Sequence, residues 1–254
     1  MQRVACRIEY IGTGFSGYQV QPNGRTVQEE LEAALKKLHK GQPVHVSASG
    51  RTDAGVHAKG QVIHFDSPLT IPSLRWSKAV NPLLPADIRV SASQHVATNF
   101  HARYSAVGKQ YRYKVTKRED IFLRNRASFV PTSLNVTHMR AAAEHILGTH
   151  DFSSFCAANT SVVDKVRTVT QCDIVEDDEE LTFILAGNGF LYNMVRIAVG
   201  TLLEIGAGKR APEDMQHIIA AEDRGAAGKT APAHGLYLWS VGYAQPMFTS
   251  AEKR

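Results

Sequence analysis

The chain spells the same order of secondary structure twice, and that repetition limits the folds open to it more than any single motif. "RVACRIEYIG" alternates apolar and polar residues and ends in glycine, which predicts a strand. "TVQEELEAALKKLHK" follows, with Val27, Leu31, Ala34, Leu35 and Leu38 on one helical face, Thr26 as N-cap and acids in the first turn. "VHVSAS" and "AKGQVIHFDS" predict two strands, "SLRWSKAVNPLL" a helix and "IRVSASQHVA" a further strand. The order is β-α-β-β-α-β. It returns as the strand "KQYRYKVTKR" and the helix "NVTHMRAAAEHILG", capped by Asn135 or Thr137. The hairpin "VRTVTQCDIVEDDEELTFILAGN", the long helix "YNMVRIAVGTLLEIGAG" and the strand "GLYLWSVGYA" complete it. An extra helix, "APEDMQHIIAA", carries proline in its first turn.

Two split β-α-β units predict an α+β fold of two ferredoxin-like halves, residues 1–104 and 105–254. The halves are expected to share a mixed, largely antiparallel sheet with a central cleft. No apolar run approaches the ~18 residues of a membrane span. "MQRVACRIEYIG" is a charged alternation rather than a secretion signal, so a cytoplasmic location is expected. Cys6, Cys156 and Cys172 read as reduced thiols, not as a disulfide framework or a metal site.

Charge is distributed unevenly. Residues 1–150 hold 20 Lys/Arg against 10 Asp/Glu, whereas residues 151–254 hold 9 against 14. A basic surplus of that size fits a polyanionic partner, nucleic acid above all, and it also fits a solvated cationic surface.

Two apparent phosphate motifs fail on their context. Gly12, Gly14 and Gly17 match G-x-G-x-x-G, but "YQVQPNGR" separates them from the helix whose N-terminus would face a pyrophosphate. A flexible turn is expected there. Gly228-Lys229-Thr230 ends like a phosphate loop, yet the first glycine of that motif falls on Asp223, and Ala231-Pro232 replaces a helix.

Chemistry concentrates elsewhere. "GRTDAGVHAKGQVIHF" places Asp53 in a tight turn beside Arg51. A cation nearby keeps a partly buried carboxylate ionised, and an ionised carboxylate in a dry pocket is a competent nucleophile. A loop aspartate also commonly serves its own backbone. In "GKQYRYKV", Lys109, Tyr111 and Tyr113 share one strand face, so one tyrosine is expected in the core and the other over a ligand. Arg196 sits among Met194, Val195, Ile197 and Val199, and must reach a partner such as Asp53 or snorkel to water.

At these residues the chain resembles the tRNA pseudouridine synthase A family. "SGRTDAGVHAKGQVIHF", "NFHARYSAVGKQYRY", "GTHDFSSF", "GFLYNMVR" and "APAHGLYL" are similar to its signature segments and stand in the same order, over residues 4 to 243. Ile11 and Tyr18 depart from an acid and a tryptophan usual in its first segment.

The resemblance implies the pseudouridine synthase fold, with Asp53 as nucleophile and Tyr111 against the target base. It also implies Arg51 and Arg196 as basic groups at the site, and Arg103 as an RNA contact. The implied reaction breaks the N1–C1′ bond of uridine, rotates the uracil and joins C5 to C1′, with neither cofactor nor metal. It implies the anticodon stem-loop of tRNA as substrate, uridines 38 to 40 as targets, and a homodimer. Arg51 is expected to set the ionisation of Asp53 and to hold the extruded nucleotide.

Two rivals remain from residues alone: a non-catalytic RNA-binding sheet, and a hydrolase. The hydrolase needs a second carboxylate ~5–9.5 Å from Asp53. Asp66 and Glu9 are its candidates by strand position.

Overall fold

The structure is a computed structural model, and it describes residues 1–158, 160 and 162–248. In chain order the elements are β1 (Gln2–Tyr10), α1 (Val27–Leu38), β2 (Ser47–Ala48), β3 (His57–Ser67), α2 (Trp76–Val80) and β4 (Ile88–Val96). Then come β5 (Ala106–Thr116), β6 (Ser128–Phe129), α3 (Val136–Glu144), β7 (Gly148–Asp151), β8 (Val166–Glu176) and β9 (Glu180–Gly187). The chain ends with α4 (Met194–Gly206), α5 (Asp214–Ala221) and β10 (Leu236–Tyr243). The fold is α+β, with mixed strand pairing: β5 and β6 run parallel, whereas β1–β3, β1–β4, β7–β8 and β8–β9 are antiparallel.

The chain forms two compact units, residues 1–107 with 238–254, and residues 108–237. In the first, the strands stand in the order β4-β1-β3-β10, and β2 also pairs with β3. Alternation along β1 sends Val4, Cys6 and Ile8 to one face, opposite Phe65 and Ile63 of β3 and Val90 of β4. That face is closed by Val27, Leu31 and Leu35 of α1 and by Trp76 of α2, whose ring meets Phe65 edge-on at 5.2 Å. Thr26 caps α1 as expected, its hydroxyl accepting from the Glu29 amide at 3.3 Å.

Two predicted elements are shorter than their sequence suggests. "VHVSAS" contributes only the two residues of β2. The helix over "SLRWSKAVNPLL" is α2 between two single 3₁₀ turns, Ser73–Arg75 and Asn81–Leu83; Pro82 cannot donate to the α-helical ladder and ends it.

In the second unit the order is β5-β9-β8-β7, with β6 beside β5. Tyr113 of β5 lies opposite Phe183 of β9, which lies opposite Ile174 of β8, so one row of the core crosses three strands. The α4 helix is buried along most of its length, which explains its nearly continuous apolar sequence. It packs against α3, where Gly206 leaves room for Met139: a Cβ there would fall 2.6 Å from its sulfur. Asn135, not Thr137, caps α3, accepting from the His138 amide at 3.0 Å. Among the described residues no helix is long and apolar enough to cross a membrane.

Candidate active site

Asp53 lies on the segment joining β2 to β3, and that segment is bonded at both ends. At its entry, the Ser49 amide donates to the Val62 carbonyl at 2.8 Å, and the Ser49 hydroxyl donates to Gln61 Oε1 at 2.6 Å. The buried Gln61 amide in turn donates to the Gly50 carbonyl at 2.8 Å. At its exit, the Val56 amide donates to the Asp53 carbonyl at 3.1 Å, closing a turn through Gly55 at φ +80°. Between them, the Thr52 side chain is buried and its hydroxyl is 2.8 Å from the Tyr10 phenol. Asp53 itself is half-buried.

The loop after β1 forms the bed of this segment. Tyr18 donates its amide to the Thr52 carbonyl at 3.0 Å, and Gly12 donates to His57 Nδ1 at 2.9 Å. The approach is closest at the glycines. A Cβ on Gly12 would sit 2.0 Å from the Val56 carbonyl oxygen, and one on Gly17 3.0 Å from the Thr52 oxygen. Gly17 also has φ +99°, a region that side chains strain to enter. These glycines are therefore packing residues fitted against the Asp53 segment, where the sequence suggested only a flexible turn. The Tyr18 contact is made by backbone and does not depend on its side chain.

Arg51 is exposed and forms no ion pair with Asp53. Of the acids a hydrolase would need, Asp66 is held by Arg3 at 2.7 Å and Glu9 by Lys59 at 2.9 Å, each in an ion pair of its own. Arg103 is exposed in the turn 99–105 of the same unit, its guanidinium 5.9 Å from the centre of the Tyr104 ring.

The second unit carries Tyr111 and Arg196. Tyr113 is fully buried, its hydroxyl donating to the Pro232 carbonyl at 2.9 Å. Burial pushes its phenol up to about 12, against the pull of the Ser128 hydrogen bond and the Arg196 charge. Tyr111 is half-buried and meets Phe190 edge-to-face at 5.2 Å. The core tyrosine is thus Tyr113, and the accessible one is Tyr111. Phe190, which local sequence pattern did not single out, is the aromatic that fixes the Tyr111 ring. Its signal was its place at the start of "GFLYNMVR".

Arg196 donates from Nε to the Ala231 carbonyl at 2.7 Å and from Nη1 to Asn193 Oδ1 at 2.9 Å, while its own carbonyl accepts from the Ala231 amide at 3.0 Å. Gly200 permits this approach, since a Cβ there would collide with the Lys229 carbonyl at 1.7 Å. The segment that imitated a phosphate loop is therefore a strap packed on α4. Burial and the Arg196 charge hold His234 below its ordinary value. Among the described residues no cluster of three or more His, Cys, Asp or Glu is arranged to hold a metal.

The structure thus gathers Arg51, Asp53 and Arg103 in the first unit, and Tyr111 and Arg196 in the second. Comparison with known proteins agrees with the sequence blocks. The family model for tRNA pseudouridine synthase matches residues 7–105 and 142–244. A tRNA pseudouridine synthase A of Anoxybacillus flavithermus is 56% identical over 244 residues, which is 96% of this chain and 99% of that protein. One of Shouchella clausii is 56% identical over 252 residues, 98% of this chain and 97% of that protein. Another, of Exiguobacterium sibiricum, is 54% identical, covering 96% of this chain and 97% of its own length.

Proposed function

The chain belongs to the tRNA pseudouridine synthase A family, and from that premise we propose that it isomerises uridines 38, 39 and 40 of the tRNA anticodon stem-loop with Asp53 as nucleophile. It is an isomerase acting on tRNA; the target positions and the residue roles are our reading. The observation that carries the reading is the Asp53 segment: a half-buried carboxylate on a loop bonded at entry, middle and exit. Such fixation suits a side chain that must meet a reacting carbon at one distance and angle.

The target uridine leaves its stack at a cost of a few kcal/mol. Contact with the Tyr111 ring returns roughly 1–3 kcal/mol of that. Asp53 then adds to C6 of the uracil or to C1′ of the ribose, the N1–C1′ bond breaks, and the base turns to present C5. On the C1′ route Asp53 leaves C1′ as C5 bonds to it. On the C6 route C5 bonds to C1′ first and Asp53 is then eliminated from C6. On either route the C5 proton is lost to water. All atoms of the uridine are retained except that proton, which is exchanged with water, so the reaction needs no redox partner. Arg51, Arg103 and Arg196 supply cations for the RNA. Arg51, exposed beside Asp53, suits the extruded nucleotide.

The reading extends to a cytoplasmic homodimer and to a duplicated ferredoxin-like architecture, repeats 1–104 and 105–254 in chain order. In the first repeat β1 stands between β4 and β3, and β2 also pairs with β3, the neighbours expected of one split β-α-β unit.

The test is to map pseudouridine in tRNA incubated with wild-type protein and with Asp53→Ala, and to follow tritium released from uracil C5. Wild type is expected to convert positions 38–40 and release label, and Asp53→Ala to be slower by at least about a thousandfold. Conversion by Asp53→Ala at the wild-type rate would overturn the nucleophile, and free uracil as product would point to the hydrolase.

A further inference from the structure

We propose that the ring of Tyr104 is a stacking platform for an unpaired base of the RNA substrate, with Arg103 beside it meeting the adjoining phosphate. The proposal rests on the reading above in one respect, that the substrate is RNA. Tyr104 is 78% exposed. One face of its ring is backed by His101, with ring centres 4.3 Å apart and planes 33° apart, so its exposed surface lies away from that ring. His101 is in turn met edge-on by His64 at 4.7 Å. The stack begins in the buried interior of the first unit and ends at its surface.

The turn that presents Tyr104 is held by many bonds. The Ser105 amide donates to the His101 carbonyl at 2.9 Å, and the His101 amide donates to the Ser105 hydroxyl at 3.0 Å. His101 Nδ1 accepts from the Arg103 amide at 3.1 Å. Ala102 is gripped twice, its amide donating to His64 Nδ1 at 3.2 Å and its carbonyl accepting from the Tyr243 phenol at 2.7 Å. Arg3 donates to the Phe100 carbonyl at 2.9 Å. A side chain preset in this way loses little freedom on binding.

The surroundings select the occupant. Between residues 88 and 107, the stretch of the first unit that contains this turn, the sequence holds two arginines and no Asp/Glu. Arg103 has no carboxylate partner among the described residues. The Arg103 guanidinium lies over the Tyr104 ring, 5.9 Å from its centre. An aromatic ring next to an unneutralised guanidinium matches a base joined to a phosphate. Burial and nearby arginines lower the His101 pKa, which favours the uncharged form of the supporting ring.

The experiment measures tRNA binding and pseudouridine formation for Tyr104→Ala, Tyr104→Phe, Tyr104→Trp and Arg103→Ala. Tyr104→Ala is expected to raise Kd roughly 5- to 150-fold, the worth of one stacked base, and Tyr104→Phe to restore it. The slope of log Kd against log salt should be unchanged in Tyr104→Ala and shallower by about 0.7 in Arg103→Ala, which loses one phosphate contact. tRNA should also quench the added emission of Tyr104→Trp. Kd within twofold of wild type for Tyr104→Ala, or a folded Tyr104→Trp that binds tRNA without quenching, overturns the proposal even if the alanine variant fails to fold. Wild-type protein that forms no pseudouridine, while Tyr104→Ala still weakens tRNA binding, would sink the synthase reading alone.

Discussion

The phenol of Tyr10, at the end of β1, lies 2.8 Å from the hydroxyl of Thr52, the residue before Asp53. Burial pushes that phenol up to about 12, so it stays protonated across the working range of the protein. The first strand of the fold thereby fixes the peptide that leads into Asp53. Removing the Tyr10 phenol strands the Thr52 hydroxyl in a buried site, whereas removing the Thr52 hydroxyl leaves the phenol its hydrogen bond with Gln61. Either loss costs about 1–3 kcal/mol. Tyr10→Phe and Thr52→Val are each expected to lower the urea-unfolding free energy by that amount, and the double variant by less than the sum. Additive losses would show that the pair does not act as a unit.

The glycines under the same segment should differ in cost from one in open space. Gly41 has φ +94° but nothing within 4 Å of a Cβ, so Gly41→Ala pays only backbone strain, about 1–2 kcal/mol. Gly12→Ala drives a methyl into the Val56 carbonyl and is expected to cost more than about 3 kcal/mol, or to prevent folding. Thermal unfolding of the two variants compares them directly. Equal melting temperatures would mean that the loop after β1 and the Asp53 segment separate without penalty.

Stability should fall in mild acid, and His64 sets the window. Burial first, then the charges of His101 and Arg3, depress its pKa from 6.5 to about 4. Between those values the unfolded chain binds a proton that the folded one does not. The contribution is therefore complete above pH 6.5 and is lost as pH falls towards 4. His101, shifted the same way, adds to the slope. Asp66, held below its usual range by Arg3, adds a loss only at still lower pH. In His64→Gln the urea midpoint should depend less on pH between 6.5 and 4, and an unchanged dependence would assign the effect elsewhere.

Arg51 is exposed and has no carboxylate partner among the described residues, so Arg51→Ala should leave stability within about 0.5 kcal/mol of wild type. If it serves the extruded nucleotide, pseudouridine formation should fall by about tenfold or more, the loss of one charge-assisted contact. Turnover at the wild-type rate would remove Arg51 from the mechanism.

The strands and helices legible in the sequence were those with a clean period. The apolar stripe of α1 and the hairpin of β8 and β9, with its acidic tip, match their predicted segments closely. β2 fell short because "VHVSAS" alternates well but finds a partner only at Ser47 and Ala48, opposite His64 and Ile63. β7, Gly148–Asp151, went unpredicted because four residues are too few to show a period. At the site, alternation alone put Tyr111 and Tyr113 on one face; what separates them is the strap bearing Pro232, more than a hundred residues further along the chain. The roles of Gly12, Gly17 and Gly200 were illegible for the same reason: a local window shows a glycine but not the distant carbonyl that excludes a side chain.

The pairing of β10 with β3 has a bearing on biosynthesis. Residues 238–254 group with residues 1–107, yet the ribosome must first deliver all of residues 108–237. Until then the margin of β3 that receives β10 stays open on the nascent chain, and an open margin invites pairing with a neighbouring polypeptide. Lys59, exposed on β3 beside Gly60 and ion-paired with Glu9 of β1 once folded, is the kind of charged residue that discourages such pairing while the missing strand is still being made.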